Sequence, residues 1–157
     1  MGLILRELAR TDREAAASAL RASGAFSEEE VSIALGVFDD ATADSASGYA
    51  AFAAEEGGGL AGYVCGGSTP LTESTWHVYW ICVHPTAQGR GIGRALTEHF
   101  EASVRSRGGR RIVVETSGRP DYERARGFYE AAGYRQVGHI PNYYRKGDDC
   151  VLYCKVL

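Results

Sequence analysis

This sequence has little of what marks several other classes of protein. Its 157 residues include one methionine, four prolines and four cysteines, and no apolar stretch approaches the roughly 20 residues that a membrane-spanning helix needs. The cysteines form no Cys-x-x-Cys pair with a matching second pair, so we predict neither a metal site nor a disulfide framework. The N-terminus lacks the basic and apolar segments of a secretion signal. We therefore expect a cytoplasmic protein that does not bind membranes, with Cys65, Cys150 and Cys154 as buried, inert thiols.

Positive charge is scarce in the first half of the chain. Residues 1–78 hold 4 Lys and Arg against 12 Asp and Glu, whereas residues 79–157 hold 13 against 8. The formal net charge of -3 and the lack of a recognition motif argue against a nucleic-acid partner. The basic second half is instead the place where we expect a ligand that carries phosphate groups.

Hydrophobic periodicity predicts one α+β domain over residues 1–157 with one mixed central sheet. Two Ser/Thr-x-x-Glu capping boxes, at Thr11 and Ser27, predict the starts of two helices ahead of the main run of strands. The predicted strands cover residues 3–8, 49–54, 60–65, 75–83, 111–116, 134–140 and 150–157. The predicted helices cover residues 11–22, 27–38, 92–104 and 121–132.

A glycine-rich loop, Gln88-Gly89-Arg90-Gly91-Ile92-Gly93, separates the strand at 75–83 from an amphipathic helix. A helix N-terminus presents unpaired backbone N–H groups, and glycine lets the main chain approach a pyrophosphate closely. The dinucleotide-binding pattern G-x-G-x-x-G fails here, because Arg94 or Leu96 stands in the third glycine position. The Gly-Lys-Ser/Thr of a Walker loop is absent as well. The pattern that fits is Gln-x-x-Gly-x-Gly, preceded by Val83-His84-Pro85.

This pattern resembles the signature of the GNAT superfamily of N-acetyltransferases, in which a strand ending in Val-x-Pro precedes Gln/Arg-x-x-Gly-x-Gly/Ala. A second segment, Ala125 to Tyr134, is similar to the Ala-x-x-Phe-Tyr-x-x-x-Gly-Phe segment of the same family. The two motifs stand in the family's order over residues 83–134. The resemblance implies a GNAT-like three-layer fold with a mixed, mostly antiparallel sheet of about seven strands and four helices.

The resemblance also implies an enzyme that binds acetyl-CoA and moves its acetyl group to a primary amine by direct attack in a ternary complex. The acceptor would be a small molecule or a peptide. The alternative is a catalytically silent acyl-CoA-binding or sensing module on the same fold, against which the retained Tyr129 argues. The sequence leaves open the identity of the acceptor and the oligomeric state, a homodimer included.

By the same resemblance, backbone N–H groups from Gln88 to Arg94 would hold the pyrophosphate of CoA, and Val83 would pair with its pantetheine arm like an added strand. The chain departs from the family at Tyr122, where many relatives carry Asn, so the polar contact of that Asn is in question. The predicted cofactor-binding residues are Ile81, Cys82, Val83, Gln88, Gly89, Arg90, Gly91, Ile92, Gly93, Arg94, Tyr122 and Arg126.

Acetyl transfer needs a deprotonated amine, stabilisation of the developing oxyanion and a proton for the departing thiolate. Tyr129 aligns with the family tyrosine that supplies this proton, and the backbone N–H of Val83 is the implied oxyanion donor. The candidates for the base are His77, which titrates near neutrality, and Glu115, which a structural ion pair with an arginine would explain equally well. The sequence favours His77 slightly. Cys82 is predicted to be a packing residue rather than a nucleophile, because strand alternation places it on the face opposite His77 and Val83.

Aromatic residues supply the candidates for binding the acceptor, namely Trp76, Tyr79, Trp80, Tyr143 and Tyr144. Together with the acidic residues of the segment from Asn142 to Asp149, they would form a pocket for a cationic amine. That segment is equally compatible with a plain turn that has Gly147-Asp148-Asp149 at its tip. Both interpretations stay open from the sequence.

Overall fold

Helices and strands follow one another in the order that the hydrophobic pattern predicts. The computed structural model describes residues 2–44 and 48–157. Its strands are β1 (Ile4–Glu7), β2 (Tyr49–Glu56), β3 (Gly59–Ser68), β4 (Thr75–Val83), β5 (Arg111–Ser117), β6 (Arg135–Arg145) and β7 (Asp148–Val156). Its helices are α1 (Arg13–Ala22), α2 (Glu28–Ala41), α3 (Ile92–Ser106) and α4 (Glu123–Ala131).

The strands form a single sheet in the order β1-β2-β3-β4-β5-β7-β6. Neighbouring strands are antiparallel except β4 and β5, which are parallel. A parallel pair requires a crossover connection, and α3 supplies it between the end of β4 and the start of β5. The prediction of a mixed, mostly antiparallel sheet of seven strands with four helices is confirmed.

Helices lie on both faces of the sheet, so the fold has three layers. On one face α3 and α4 contribute Leu96, Phe100 and Tyr129 to the larger core cluster. On the other face α1 and α2 pack against residues of β2, β3 and β4. The part of that face formed by β5, β7 and β6 lies beside the α1–α2 layer rather than under it. No described helix is both long enough and apolar enough to cross a membrane.

The two predicted capping boxes have different outcomes. At α2 the hydroxyl of Ser27 accepts from the N–H of Glu30 at 3.1 Å, and the carboxylate of Glu30 accepts from the N–H of Ser27 at 3.3 Å, as predicted. At α1 the predicted cap on Thr11 is wrong. A 3-10 turn over Arg10–Asp12 comes first, and the Asp12 carboxylate turns back to the N–H of Ala9.

The last hairpin is longer than the sequence predicts. β6 extends to Arg145 and β7 starts at Asp148, so a tight turn at residues 146–147 replaces the predicted polar loop. Gly147 makes this turn possible with φ 81°. The pairing of β6 with β7 is irregular between Ile140 and Arg145, where Asn142 has φ 54°. The sequence did not predict the last part of β6 because its residues are polar. Polar residues are tolerated there because one side of β6 has no neighbouring strand and is exposed to solvent.

Candidate active site

β4 and β5 pair over a short stretch and then separate. The parallel ladder joins residues 75–78 to residues 111–114, whereas β4 continues to Val83 and β5 to Ser117. Beyond the ladder, β4 is held by β3 on its outer side and β5 is held by β7. The two facing edges therefore bound a cleft in the sheet that opens from Tyr79 and Glu115 onward. No strand pairing joins these edges in the part of the chain that the structure describes.

A β-bulge in β4 lies at the narrow end of this cleft. Cys65 of β3 pairs with Trp80, and the next residue of β3, Gly66, pairs with Val78, so Tyr79 is the extra residue. Glycine is required at position 66 because a Cβ there would collide with the carbonyl oxygen of His77. The bulge therefore depends on this close approach of the two strands.

The bulge changes the face on which successive β4 side chains lie. Before the bulge, Val78 lies in the core under α3. Beyond the bulge, Val83 packs against this same core, whereas Cys82 lies in the core under α1 and α2. His77 stacks on Tyr79, which in turn contacts an aromatic ring of the α1–α2 side. Cys82 therefore lies on the same face as His77. The predicted opposite placement of these two residues is wrong, because it assumed unbroken alternation.

The glycine-rich loop leads from the end of β4 to the N-terminus of α3. Gly91 is the N-cap residue of α3 with φ 79° and ψ 10°, a left-handed conformation that favours glycine. Within residues 2–44 and 48–157, no acceptor pairs with the backbone N–H groups of Gly89 through Arg94. The side-chain amide of Gln88 donates to the carbonyl oxygen of Val83 at 3.2 Å and holds the loop against β4. Unpaired N–H groups at the positive end of a helix dipole suit phosphate oxygens.

The two arginines of this region form exposed ion pairs. Arg90 lies 2.7 Å from Glu56 at the end of β2, and Arg94 lies 2.8 Å from Glu98 one turn further along α3. The arginine side chains are 50% and 79% exposed, respectively. Exposed pairs of this kind contribute only about 0–1 kcal/mol, so both guanidinium groups are available to an anion that binds nearby.

Helix α4 lies against the loop and the end of β4 through Phe128. A Cβ at Gly93 would stand 3.4 Å from the ring of Phe128 and 3.7 Å from Val83. Glycine at this position therefore lets the first turn of α3, the middle of α4 and the end of β4 meet. This contact brings the helix that carries Tyr129 to the border of the cleft.

Tyr129 is buried on the α3–α4 side of the sheet, with 8% of its surface exposed. Its ring lies 5.8 Å from that of Tyr134 and 6.2 Å from that of Tyr153, measured between centroids. Burial raises the pKa of Tyr129 well above its usual value. The phenol is therefore fully protonated at neutral pH.

Two further residues predicted to contact the cofactor lie where β5 leads into α4. Tyr122 is the N-cap residue of α4, and its hydroxyl donates to the carboxylate of Glu30 at 3.4 Å. Arg126 donates to the carbonyl oxygens of Ser117 and Arg119, at 2.8 Å each. Both side chains thus have partners within the protein, and their contact with a cofactor stays a prediction.

The two candidate bases lie on the same face of the sheet. Nδ1 of His77 is hydrogen-bonded to the hydroxyl of Thr69 at 2.7 Å, and the residue pairs within the β4–β5 ladder. Glu115 follows Val114, the last residue of β5 that pairs with β4, and therefore stands at the narrow end of the cleft. Its side chain is exposed, and it has no hydrogen bond or ion pair with any residue in the described ranges. No arginine neutralises it there.

The predicted acceptor-binding aromatics do not all meet. Trp76 is 5% exposed in the core under α3, with the guanidinium of Arg107 4.6 Å above its ring, so it lies away from the others. Tyr79, Tyr143 and Tyr144 are 41%, 49% and 42% exposed. The hydroxyl of Tyr144 is hydrogen-bonded to the sulfur of Cys150. Burial first, then the hydrogen bond with Cys150, raises the pKa of Tyr144, and the charge of Glu115 contributes less.

The acidic residues of the last hairpin stabilise the turn. The buried Asp148 accepts a short hydrogen bond from Ser117. Asp149 accepts from the N–H of Asn142 at 2.8 Å and lies 2.7 Å from Nε2 of His139. Both carboxylates therefore have partners around the turn, and a contribution of either to an acceptor pocket stays a prediction.

The four cysteines are free. Burial raises the pKa of Cys82 to about 11, so its sulfur is a thiol rather than a nucleophilic thiolate at neutral pH. Cys65 and Cys150 are buried as predicted, whereas Cys154 is only half-buried. Among the described residues, no group of three or more His, Cys, Asp or Glu side chains is arranged to hold a metal ion.

Several residues around the cleft carried no sequence signal. Phe26 packs on Trp80 with 5.3 Å between ring centroids, and Thr69 contacts His77 from outside any predicted element. Glu30 was noted only as part of a capping box, although it also reaches Tyr122. The contacts of Phe26 and Glu30 join segments that are far apart in the chain, and that of Thr69 spans the turn between β3 and β4, so the periodicity within one element could not have found them.

Comparison with known proteins agrees with this geometry. The model of the acetyltransferase (GNAT) family matches residues 8–134. A GNAT-family acetyltransferase structure from Desulfovibrio desulfuricans is 36% identical, with a TM-score of 0.93 and 99% of both chains covered. The N-alpha-acetyltransferase RimI of Mycobacterium tuberculosis is 40% identical over 95 residues, which are 59% of this chain and 56% of that protein. Mycothiol acetyltransferase of Beutenbergia cavernae is 41% identical over 64 residues, 41% of this chain and 21% of that protein.

The fold, the cleft and the glycine-rich loop beyond its wide end agree with the GNAT type of structure. This chain belongs to the GNAT acetyltransferase family, and the family predicted from the two motifs is confirmed. The chain spans 21% of the length of the mycothiol acetyltransferase and 56% of the length of the RimI protein.

Proposed function

We propose that this protein is an N-acetyltransferase that takes the acetyl group of acetyl-CoA and transfers it directly to a primary amine. The observation that carries the proposal is the row of unpaired N–H groups from Gly89 to Arg94. These groups lie beyond the wide end of the cleft, which α4 borders. A structure of the same fold, the PaiA N-acetyltransferase of Thermoplasma acidophilum, was solved in complex with coenzyme A. A catalytically silent acyl-CoA sensor would not need a proton donor beside the cleft.

The residues beyond the wide end of the cleft fit a pyrophosphate. The N–H groups of Gly89 through Arg94 would bind its oxygens, and Arg90 and Arg94 would exchange their carboxylate partners for phosphate. The free edge of β4 through Ile81 and Val83 would bind the amide groups of the pantetheine arm as a strand does. Bound acetyl-CoA supplies the activated acetyl thioester.

Tyr129 is the proposed acid. Its hydroxyl is protonated at neutral pH, as that of an ordinary tyrosine is, and α4 holds it at the border of the cleft. Burial raises the pKa of Tyr129 further and so makes it a weaker acid. Donation is favourable only because the same lack of water also raises the proton affinity of a sulfur anion that forms beside the phenol.

Glu115 is the proposed base, acting on the ammonium form of the acceptor directly or through one water molecule. Its support is the position at the narrow end of the cleft, the exposed carboxylate and the lack of a partner within the described residues. His77 stays the second candidate, since its Nδ1 is hydrogen-bonded to Thr69, whereas its other ring nitrogen has no hydrogen-bond partner among the described residues. The order of preference from the sequence is thereby reversed.

The proposed acceptor is a primary amine at the end of an extended chain, such as a peptide N-terminus. The exposed rings of Tyr143 and Tyr144 lie on the last hairpin, and Glu115 provides negative charge beside Tyr144. The name of the RimI relative refers to N-alpha-acetylation. Small amines are the alternative, since the name of the other relative, mycothiol acetyltransferase, refers to mycothiol rather than to a protein. The four free cysteines support a reducing compartment and hence the cytoplasm.

One experiment tests the function. Calorimetric titration should give saturable binding of acetyl-CoA and CoA, with no comparable binding of NAD or ATP. An assay of thiol release with acetyl-CoA and a panel of amines, including a hexapeptide with a free N-terminal alanine, its N-blocked form and tyramine, should then identify an acceptor. Acetyl-CoA binding without turnover of any amine would favour the sensor, and absence of binding would refute both.

A further inference from the structure

The segment between α1 and α2 contacts both sides of the cleft. At one end Phe26 packs on Trp80, with 5.3 Å between the ring centroids and 56° between the ring planes. At the other end the first turn of α2 presents Glu30, whose Oε2 accepts from the hydroxyl of Tyr122 at 3.4 Å. Trp80 belongs to β4, and Tyr122 lies in the turn that follows β5. Residues 23–30 therefore cross the cleft on the α1–α2 side of the sheet.

One carboxylate holds this crossing segment at two points. Oε1 of Glu30 accepts from the N–H of Ser27 and fixes the start of α2, while Oε2 reaches Tyr122. Tyr122 in turn starts α4, the helix that carries Tyr129. Glu30 and Tyr122 are both half-buried. The contact thus joins the acceptor side of the sheet to the helix of the proposed acid, across 92 residues of sequence.

The crossing segment bounds the route by which an amine reaches the cleft. α3 and α4 close the other face of the sheet, and the loop at the head of α3 is the place for phosphate. An acceptor must therefore approach on the face where Glu115 and Tyr79 lie, between residues 23–30 and the last hairpin. A segment already fixed in the bound conformation spares the acceptor the entropy of ordering it.

We infer that Glu30 and Tyr122 are positioning residues that fix residues 23–30 across the cleft and thereby set the affinity for the acceptor without contacting the reacting atoms. The inference rests on the proposed function. It differs from the sequence-based expectation for Tyr122, which was a contact with the cofactor. The hydroxyl of Tyr122 is instead used on the acceptor side.

The test combines Tyr122→Phe with Glu30→Asp, because Phe removes only the hydroxyl, and Asp retains a carboxylate for the capping box on a side chain one methylene shorter, which draws it away from Tyr122. In the free protein, amide hydrogen exchange at residues 23–30 should accelerate about fivefold, as expected for the loss of one hydrogen bond. With the alanine hexapeptide as acceptor, KM should rise by a similar factor, while kcat and the Kd for acetyl-CoA change by less than about twofold. The double variant should resemble either single variant, because both remove the same contact.

The control is Arg21→Gln, which removes the exposed ion pair with Glu28 between the same two helices but does not cross the cleft. It should leave exchange and KM unchanged. Unchanged amide hydrogen exchange at residues 23–30 in both the Tyr122 variant and the Glu30 variant would overturn the inference. A rise in the Kd for acetyl-CoA with an unchanged acceptor KM would also overturn it and place Tyr122 on the cofactor. If the wild type turns over no amine, the proposed function fails, whereas the exchange measurement still decides whether the contact fixes the segment.

Discussion

Lys155 lies within hydrogen-bonding distance of both carboxylate oxygens of Glu101, at 3.0 Å and 3.2 Å, and also donates to the carbonyl oxygen of Ala132 at 2.8 Å. Glu101 is 3% exposed, and the hydroxyl of Tyr134 donates to it at 2.9 Å. This network joins α3, β7 and the C-terminal end of α4. The helix that carries Tyr129 is thereby anchored by a buried charge pair.

Replacement of Lys155 by Met should lower the free energy of unfolding by about 3 kcal/mol, because it leaves the Glu101 carboxylate buried with Tyr134 as its remaining partner. Urea denaturation measures the loss. The double variant Glu101→Leu, Lys155→Met should recover most of it, since no buried charge is then left without a partner. A loss below about 0.5 kcal/mol in the single variant would show that the carboxylate reaches water.

Gly91→Val should weaken CoA binding more than tenfold while the protein stays folded. A Cβ at Gly91 would meet nothing within 4 Å, so the effect comes from conformation: φ is 79°, where a β-branched residue is strongly disfavoured. The loop must then rearrange, and the N–H groups of Gly89 through Arg94 lose their common orientation. Calorimetric titration with CoA measures the change.

Gly127→Ala is the matched control for this loop variant. Gly127 lies within α4, its φ is not positive, and a Cβ there would also meet nothing within 4 Å. Alanine should therefore leave the CoA affinity unchanged and raise stability by up to about 1 kcal/mol. Wild-type affinity in Gly91→Val would mean that the loop is merely a turn.

The sequence predicted those parts of the site that are encoded locally. Gln88 to Gly93 carry their chemistry in the backbone of one loop, and the spacing of Gly91 ahead of an amphipathic helix indicates a phosphate site before any tertiary contact is known. Tyr129 follows from the motif around it. The bounds of β4 were predicted correctly because its aromatic and β-branched residues favour a strand over its whole length.

The rest of the site depends on contacts between distant segments. The bulge at Tyr79 arises where Gly66 of β3 lets His77 approach, and neither strand shows this by itself. The sequence groups Trp76 with the candidate acceptor-binding aromatics, although its place in the core follows from the pairing of β4 and the position of α3. The sequence named Glu115 as the second candidate base, and its preference over His77 depends on the end of the ladder between β4 and β5 at Val114.

Asp12→Asn should destabilise the protein by about 1–2 kcal/mol at pH 7, and the difference should shrink as the pH falls. The guanidinium of Arg6, more than the N–H of Ala9, holds the pKa of Asp12 below its ordinary value of 3.8. A lowered pKa in the folded state stabilises the protein above the unfolded-state value, and this stabilisation is lost as the pH falls through the folded-state value. Wild type and variant should therefore converge below pH 4.

Urea denaturation at pH 7, 5 and 3 measures this convergence. Asp39→Asn serves for comparison, because the Arg13–Asp39 pair has both side chains 49% exposed and should contribute less than about 1 kcal/mol. A constant difference between wild type and Asp12→Asn from pH 7 to pH 3 would mean that packing rather than charge is responsible.

Tyr129→Phe should reduce kcat about a hundredfold while the Kd for acetyl-CoA stays the same. Phenylalanine keeps the ring packed against Tyr134 and Tyr153 and removes the proton. Because burial raises the pKa of Tyr129 above its ordinary value of 10.0, the wild-type kcat should not fall on the alkaline side before that pH. Single-turnover and steady-state rates over pH 6 to 10 measure both effects. A variant as fast as wild type on the same amine would make the tyrosine purely structural.

The identity of the base is decided by comparing Glu115→Gln with His77→Gln over pH. Glutamine keeps the size of Glu115 but cannot accept a proton, so loss of the true base should reduce kcat/KM by about a hundredfold and abolish the acidic limb of its pH profile. His77→Gln should retain that limb, because the Glu115 carboxylate at the narrow end of the cleft is unchanged. Since the acceptor amine also titrates, the comparison needs two acceptors of different pKa: a limb that shifts with the acceptor belongs to the amine, and one that stays belongs to the enzyme. Full activity in Glu115→Gln together with loss of the limb in His77→Gln would return the role to the histidine and its partner Thr69.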